Sequence, residues 1–305
     1  MNIVFFGSSE FSIPFLDSFT KDIELVVTSP DKVRGRGKRL LSNPVKDFAQ
    51  REHLPVITVD KLREQEYLKI KSVSPEIFLV VSYGKIISQE VLSLAKCALN
   101  LHPSKLPLYR GAAPIERQIM DGVEDSAVCI IKVIKQLDAG SIIIEEPFKI
   151  LPFETKEDVG KKIVKIGVPL LRKAIEIVSL DRCEGKEQEG VPTYAKKITK
   201  SDELITWSCS GLSIYNKIRA LSPVPGAYTY FRQKFLKIFK TELATFNSSY
   251  HPGTVFSIAK DCFYVSCGEG SIKVLDLQIE GGKKMSAKDF INGFKIHEGE
   301  MFGWV

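Results

Sequence analysis

Through the first 180 residues, short apolar runs typical of β-strands alternate with stretches of helical periodicity. Such alternation favours an α/β fold built on a mostly parallel, Rossmann-like sheet. The predicted strands cover residues 2–6, 23–28, 56–58, 77–82, 98–101, 127–134 and 142–148. The predicted helices cover residues 11–19, 44–51, 61–71 and 114–120, followed by a long amphipathic helix over 156–180.

After Trp207 the pattern changes to one predicted helix over 210–221 and then to short β-rich segments separated by Gly, Pro and Asn. About five short strands of this kind are typical of a small barrel or sandwich. A polar stretch centred on residues 184–190 is typical of a linker. We therefore predict a first domain over residues 1–182, a linker over 183–206 and a second domain over 207–305.

Composition excludes several classes of protein. A hydrophobic share of 44% and a charged share of 26% are those of an ordinary globular chain. Since no run approaches the roughly 20 apolar residues that span a bilayer, and the amino terminus resembles a strand rather than a signal peptide, we expect no membrane association. Six scattered cysteines and four histidines form no zinc pattern, which predicts reduced thiols, a cytoplasmic location and no metal. A net charge of +6 is compatible with a nucleic-acid partner but does not predict one.

Asn100 and His102 follow the short apolar run that begins at Cys97. Side chains two positions apart on a strand point to the same side, so this amide and imidazole can converge. The carboxyl ends of the strands are where open α/β sheets bind ligands. A lone histidine at a strand end is nevertheless more often structural than catalytic, and the pair needs a third group to indicate chemistry.

Asp138 provides that third group, because it follows the next long β-rich run along the chain. If the two strands are neighbours, amide, imidazole and carboxylate meet in one cleft. The segment around Asn100 and His102 supplies neither a cysteine nor an activated serine as nucleophile. The set is therefore suited to proton transfer and oxyanion stabilisation for a substrate that brings its own nucleophile.

The motif N-x-H-P-S-x-L-P-x-Y-R-G-A-A-P-I over residues 100–115, with L-D-x-G at 137–140, resembles the formyltetrahydrofolate-dependent formyltransferases. Segments 5–11, 29–39 and 220–228 resemble the same family, so the likeness spans nearly the whole chain. It is nearest to the members that act on initiator Met-tRNA. Two small departures, Lys105 and Ser141, touch none of the three candidate catalytic side chains.

The resemblance implies a formyltransferase fold with an OB-like barrel as second domain, 10-formyltetrahydrofolate as co-substrate, and initiator Met-tRNA as acceptor. His102 would move protons and donate to the oxyanion, while Asp138 would hold the imidazole and raise its pKa. Asn100 would be an uncharged oxyanion donor. The predicted folate-binding residues are Ser104, Lys105, Leu106, Pro107, Tyr83 and Gly84. We expect a monomer.

Two basic regions are candidates for contact with tRNA. One is the glycine-flanked loop that carries Arg36, Lys38 and Arg39, in which the resemblance marks Arg36 as the residue that reaches the acceptor end. The other lies in the second domain and contains Lys234, Lys237, Lys283 and Lys284. A solvated loop and the polar face of half-buried strands are the alternative interpretations of these charges.

Two other functions remain open at this point. A formyltransferase acting on a small amine, such as glycinamide ribotide or an amino-sugar nucleotide, would share the central motif but would have no evident use for the basic loop and basic second domain. A nucleic-acid-binding module on an inactive α/β scaffold would need no intact set of Asn100, His102 and Asp138.

Overall fold

The computed structural model describes residues 1–34, 39–180, 183–244 and 249–303. The chain divides into two compact units, each made of three separate segments. The first unit contains Met1–Pro114, Asp125–Lys149 and Gly160–Ala195. The second contains Ile115–Glu124, Ile150–Val159 and Lys196–Val305. Residues 183–195 thus belong to the first unit and residues 196–206 to the second.

Strands and helices alternate through the first part of the chain, as the sequence predicts. The strands are β1 (Ile3–Gly7), β2 (Ile23–Thr28), β3 (Lys32–Arg34), β4 (Arg39–Leu41), β5 (Val56–Thr58), β6 (Ile77–Val81), β7 (Cys97–His102), β8 (Arg110–Gly111), β9 (Asp125–Lys132), β10 (Ile142–Lys149) and β11 (Tyr194–Ala195). The helices are a 3₁₀ turn at Glu10–Ser12, α1 (Ile13–Ser18), α2 (Pro44–Arg51), α3 (Glu64–Ser72), α4 (Gln89–Leu92), α5 (Pro114–Met120) and α6 (Lys156–Ser179).

The first unit is built on a seven-stranded sheet in the order β10-β9-β7-β6-β1-β2-β5. Strands β1, β2, β5, β6 and β7 are parallel, and β9 runs antiparallel between β7 and β10. All residues of β1 and β6 are buried, as expected of central parallel strands covered on both faces. The prediction of a mostly parallel α/β sheet is confirmed.

Local capping explains why some helix boundaries are predictable from the sequence. The Asn43 side chain accepts hydrogen bonds from the backbone N–H groups of Val45 and Lys46, and Pro44 occupies the first turn. A capping side chain of this kind satisfies N–H groups that lack partners within the helix, and proline at this position loses no hydrogen bond. Helix α2 therefore begins where the sequence places it.

Sheet order makes neighbours of the strands that bear the candidate site. Asn100 pairs with Val80 of β6 on one side and with Ile131 of β9 on the other. His102, the last residue of β7, pairs with Cys129 of β9. Asp138 lies in the connection from β9 to β10. The strands that carry or precede the three residues are therefore direct neighbours, as the sequence argument required.

The second unit contains an antiparallel sheet in the order β12-β13-β16-β15-β14, with β17 added beside β16. Isolated bridges join Phe231 to Phe302 and Thr254 to Met301, so one chain segment connects the two edges of the sheet and closes it into a small barrel. Its elements are α7 (Lys200–Glu203), α8 (Gly211–Leu221), β12 (Ala227–Phe231), β13 (Lys234–Ala244), β14 (Val255–Ile258), β15 (Phe263–Ser266), β16 (Ser271–Ile279), β17 (Met285–Ser286) and α9 (Ala287–Phe294).

The barrel has its own hydrophobic core. Trp207, Leu236 and Phe263 are buried in it, and the apolar faces of α8 and α9 pack against the same cluster. Because this core is separate from the one around the first sheet, the second unit has the hydrophobic interior that an individual domain requires. A closed antiparallel barrel is observed rather than the sandwich that the sequence left open.

Cys97 and Cys183 form a disulfide, so the expectation that all thiols are reduced is wrong for this pair. The two cysteines are 86 positions apart, and their spacing in the sequence gives no sign of the contact. Cys129, Cys209, Cys262 and Cys267 are free. Among the described residues, no helix has the length and apolar character needed to cross a membrane.

Candidate active site

Asp138 brings Asn100 and His102 together. The Asn100 Nδ2 donates a hydrogen bond to Asp138 Oδ1 at 3.2 Å. The Nδ1 atom of His102 lies 3.6 Å from Asp138 Oδ2, which also accepts a 2.8 Å hydrogen bond from the backbone N–H of Gly111. One carboxylate thus accepts hydrogen bonds from the amide and from the loop that follows β7, and it lies beside the imidazole.

The imidazole of His102 is held through its other nitrogen. Its Nε2 lies 2.9 Å from the carbonyl oxygen of Tyr109. A carbonyl can only accept, so Nε2 carries the hydrogen and donates. The second nitrogen, Nδ1, is then the atom of His102 that can gain or lose a proton beside Asp138. This arrangement fixes the tautomer that the chemistry uses.

Burial controls the proton affinity of His102, whose exposed fraction is 3%. The pKa of His102 lies below its ordinary value, chiefly because burial disfavours the charged imidazolium; the Asp138 carboxylate acts in the opposite direction, and the Arg110 guanidinium lowers the pKa further. Asp138 thus raises the pKa of His102 as expected, but burial outweighs this effect and the net shift is downward. The imidazole is therefore neutral before reaction and available as a base.

We expect His102 to titrate below the ordinary histidine value of about 6.5 when followed by NMR on histidine-labelled protein. The lowered pKa means that the neutral imidazole persists to more acidic pH than an exposed one does. The chain has three other histidines, His53, His251 and His297, all exposed, and a His102→Gln variant identifies the resonance. A His102 midpoint at or above about 6.5 would contradict the burial argument.

Backbone geometry makes the turn that carries Asp138 tight. Asp138 has φ of +47°, in the left-handed region that is uncommon for residues other than glycine. Two residues later, a Cβ on Gly140 would lie 1.8 Å from the carbonyl oxygen of Lys132. The glycine of the L-D-x-G motif is therefore needed for close backbone approach, and unusual conformations of this kind concentrate at functional sites.

The predicted folate residues fall into two groups by exposure. The side chains of Ser104, Leu106 and Pro107 are buried, and the ring of Tyr83 packs in the core at 5.3 Å from Phe6, where burial raises its pKa to about 12. Lys105 and Gly84 are exposed, and a Cβ added at Gly84 would meet nothing within 4 Å. Contact with a ligand from this group therefore depends on backbone atoms and on Lys105.

The structure describes only some of the basic residues that are predicted to contact tRNA. Arg36 and Lys38 lie outside the described residues, and Arg39 begins β4. In the barrel, Lys234 and Lys283 are exposed. Lys237 donates to the Pro225 carbonyl at 2.6 Å, and Lys284 forms an ion pair with Asp276 at 3.1 Å.

Sequence reasoning missed Gln188, which lies in the segment predicted as linker. Its side chain contacts Arg110 and the backbone of the Asp138 turn. A polar run of glutamates, glycines and a glutamine carries no periodic signal, so nothing in the sequence distinguishes this residue from its solvated neighbours. Within the described parts of the chain, no group of three or more His, Cys, Asp or Glu side chains could hold a metal ion.

Both halves of the chain match models of one family. Residues 1–175 match the "Formyl transferase" model, and residues 197–295 match "Formyl transferase, C-terminal domain". The methionyl-tRNA formyltransferase of Carboxydothermus hydrogenoformans is 41% identical over 308 residues, which cover 99% of each chain. That of Thermotoga maritima is 37% identical over 308 residues, covering 99% of this chain and 98% of the relative.

Solved structures share the fold at much lower identity. Methionyl-tRNA formyltransferase from Clostridium thermocellum superposes with a TM-score of 0.55 at 18% identity, over 80% of this chain and 94% of that one. HypX from Aquifex aeolicus, solved in complex with tetrahydrofolic acid, gives a TM-score of 0.66 at 14% identity, over 99% of this chain and 50% of that one. With the sheet, the barrel and the asparagine–histidine–aspartate cluster in place, the chain belongs to the methionyl-tRNA formyltransferase family.

Proposed function

We propose that this chain transfers the formyl group of 10-formyltetrahydrofolate to the α-amino group of initiator Met-tRNA. The observation that carries the proposal is the placement of Asn100 and His102 around the one carboxylate of Asp138. Those three side chains supply a proton acceptor, an uncharged donor and a carboxylate that lies beside both. Membership of the methionyl-tRNA formyltransferase family supports the choice of acceptor.

Proton transfer requires only a weak base in this reaction. The amino group of an aminoacyl ester is comparable to a chain terminus, whose pKa is about 7.7–8.0, so roughly a tenth of it or somewhat more is already uncharged at pH 7. The attacking nitrogen loses a proton as its bond to the formyl carbon forms. We assign this proton to Nδ1 of neutral His102, and the adjacent Asp138 carboxylate then stabilises the imidazolium. The leaving nitrogen of the folate receives a proton in turn.

Asn100 is placed to stabilise charge. One hydrogen of its amide group is donated to Asp138, which leaves the second available for the formyl oxygen as negative charge develops there. Asn100 is only half-buried, so the amide can be reached by a substrate. An uncharged amide remains a donor at every pH, and preorganised donors of this kind are a main source of catalysis.

The folate co-substrate supplies the formyl group, and exposed backbone beside the site suits its flat pterin ring. Residues 83–84 follow β6, and residues 104–107 follow β7, so both segments leave the same edge of the sheet that carries Asn100. We assign the contacts of Ser104, Leu106, Pro107 and Tyr83 to their backbone groups, because their side chains are buried. Gly84 and the Lys105 side chain are exposed and complete this proposed surface.

Two regions are proposed to bind tRNA. The loop with Arg36, Lys38 and Arg39 would reach the acceptor end, as the family resemblance implies. The barrel lysines would supply sequence-independent attraction to phosphates. The four proposed lysines are Lys234, Lys237, Lys283 and Lys284. Because charged tRNA is used in translation, we further propose a cytoplasmic location; a monomeric state stays a prediction.

Replacing Lys234 or Lys283 by alanine is expected to flatten the slope of log K against log salt by roughly 0.7–0.9 for each phosphate interaction that the substitution removes. Both side chains are exposed and can approach a phosphate. Filter binding of Met-tRNA across a salt series measures the slope. Lys21→Ala, an exposed lysine of the first unit, is the control, and an unchanged slope in both barrel variants would remove these residues from the interface.

Acceptor choice tests the proposed function itself. Purified protein is given 10-formyltetrahydrofolate and either initiator Met-tRNA, glycinamide ribotide or an amino-sugar nucleotide. We expect formyl transfer to Met-tRNA with kcat/KM at least about a hundredfold above either small amine, because binding energy from remote contacts contributes to the transition state. Preference for a small amine would establish the alternative formyltransferase. Binding of tRNA without any transfer would indicate the inactive scaffold.

A further inference from the structure

Residues 183–195, here called the clasp, run along the loops that carry the candidate site within the first unit. Cys183 begins it and forms the disulfide to β7. Lys186 exchanges two backbone hydrogen bonds with Ile142 of β10, at 2.8 and 2.9 Å. At its end, β11 pairs in parallel with β8. The clasp is therefore fixed at its beginning, middle and end.

Gln188 lies in the middle of the clasp and uses its whole amide group. Its Oε1 accepts hydrogen bonds from Arg110 Nε at 3.1 Å and Arg110 Nη2 at 2.7 Å. Its Nε2 donates to the carbonyl oxygens of Asp138 and Gly140, both at 2.8 Å. The amide thus satisfies four groups at once, which is the full donor count and two acceptor positions of a glutamine side chain.

Two of those groups are the carbonyls on either side of the tight turn. Asp138 has a left-handed backbone conformation, and such a conformation persists only where surrounding contacts hold it. The donor end of Gln188 bridges the turn from Asp138 to Gly140. The acceptor end holds the guanidinium of Arg110, a buried residue whose exposed fraction is 7%. A rotation of the Asp138 backbone would break these bonds and carry the carboxylate away from its partners.

We propose that Gln188 is a positioning residue that holds the Asp138 turn so that one carboxylate can meet Asn100, His102 and the Gly111 N–H together. The inference rests on the proposed function, because Gln188 acts through Asp138. Errors of about 1 Å in the placement of reacting groups can cost about a hundredfold in rate. Substrate affinity is expected to change little, since the four bonds of Gln188 are made to the protein.

The test compares Gln188→Leu with Glu187→Leu in the full chain. Glu187 is exposed and adjacent, so its variant places the same leucine in the clasp without touching the turn. Gln188→Leu is expected to lower kcat by about tenfold to a hundredfold, with the KM for Met-tRNA and for 10-formyltetrahydrofolate changed by less than about twofold. Glu187→Leu should keep near-parental kcat. A near-parental kcat in Gln188→Leu, or a loss confined to KM, overturns the proposal.

Gln188→Glu distinguishes the role of the amide oxygen, which accepts from Arg110, from the role of the amide nitrogen, which donates to the turn. It also provides the test if Gln188→Leu fails to fold. A glutamate keeps an acceptor for Arg110 but has no hydrogens for the two carbonyls. It should therefore lower kcat as much as leucine does. Parental kcat in Gln188→Glu would show that the Arg110 contact alone matters, and the proposed hold on the turn would be wrong.

A double variant shows whether Gln188 acts through Asp138. Added to Asp138→Asn, the leucine at 188 should reduce kcat by less than about a further twofold, because the carboxylate that Gln188 positions is already absent. A loss equal to that in the parent chain would overturn the inference alone and leave the role of Asp138 intact. Near-parental kcat in Asp138→Asn itself would overturn the proposed role of Asp138, and the inference with it.

Discussion

Alanine at His102 or at Asn100 is expected to lower kcat by at least about a hundredfold, with little change in the Kd for Met-tRNA. His102→Ala removes the buried imidazole that receives the amine proton, and Asn100→Ala removes the donor to the formyl oxygen. Loss of one preorganised donor commonly costs on the order of 10²–10³ in rate. Steady-state kinetics with both substrates saturating measures kcat, and filter binding measures the Kd.

The control for these variants is His53→Ala, which removes an exposed histidine of the same unit. It should leave kcat near the parental value. Thermal unfolding of each variant shows whether the folded fraction accounts for any loss, because His102 is buried and its truncation leaves space in the core. A folded variant with near-normal turnover would exclude the altered residue from the mechanism.

Loss of Asp138 and loss of His102 are expected to be strongly non-additive. Asp138→Asn keeps the size of the side chain but removes the negative charge that lies 3.6 Å from Nδ1 of His102. If the carboxylate acts mainly by stabilising the imidazolium that forms during reaction, its removal should matter far less once His102 is alanine. We expect each single variant to lose at least about a hundredfold in kcat and the double variant to lose little more.

The comparison of single and double variants of Asp138 and His102 is a double-mutant cycle. A second cycle is needed for Asn100, because Asp138 also accepts a hydrogen bond from its amide. The second cycle, which pairs Asp138→Asn with Asn100→Ala, separates the interaction of Asp138 with Asn100 from its interaction with His102. If Asp138→Asn is non-additive with His102→Ala but additive with Asn100→Ala, the hydrogen bond between Asp138 and Asn100 only orders the site before substrate binds. Multiplicative losses in both cycles would show that the three residues act separately, which contradicts the arrangement around one carboxylate.

The sequence predicted most of what depends on local physics. The bounds of α2, α5, β2 and β5 coincide with their predictions, because capping residues, helical periodicity and β-branched runs act over a few positions. Whether β7 and β9 are neighbours could not be decided from the sequence, and the structure pairs them. The meeting of Asn100, His102 and Asp138 was therefore expected only on the condition that the two strands are adjacent.

The features that could not be predicted from the sequence depend on contacts between residues far apart in the chain. Gln188 meets Arg110 across 78 positions, and the Cys97–Cys183 disulfide joins residues 86 apart. Neither contact leaves a periodic trace in the chain. The net lowering of the His102 pKa could not be predicted either, because the sequence indicates the carboxylate that raises this pKa but not how completely folding excludes water from the imidazole.

The most direct measurement of the central claim is single-turnover transfer of labelled formyl to the amine of initiator Met-tRNA. Parent protein, His102→Ala and Asp138→Asn are each mixed in excess over tRNA with labelled 10-formyltetrahydrofolate, and N-formylmethionine is quantified after rapid quenching. We expect prompt transfer by the parent and, at equal tRNA occupancy, at least about a hundredfold slower transfer by both variants. Equal rates for all three proteins, or no transfer by the parent, would contradict the claim that this cluster carries formyl transfer.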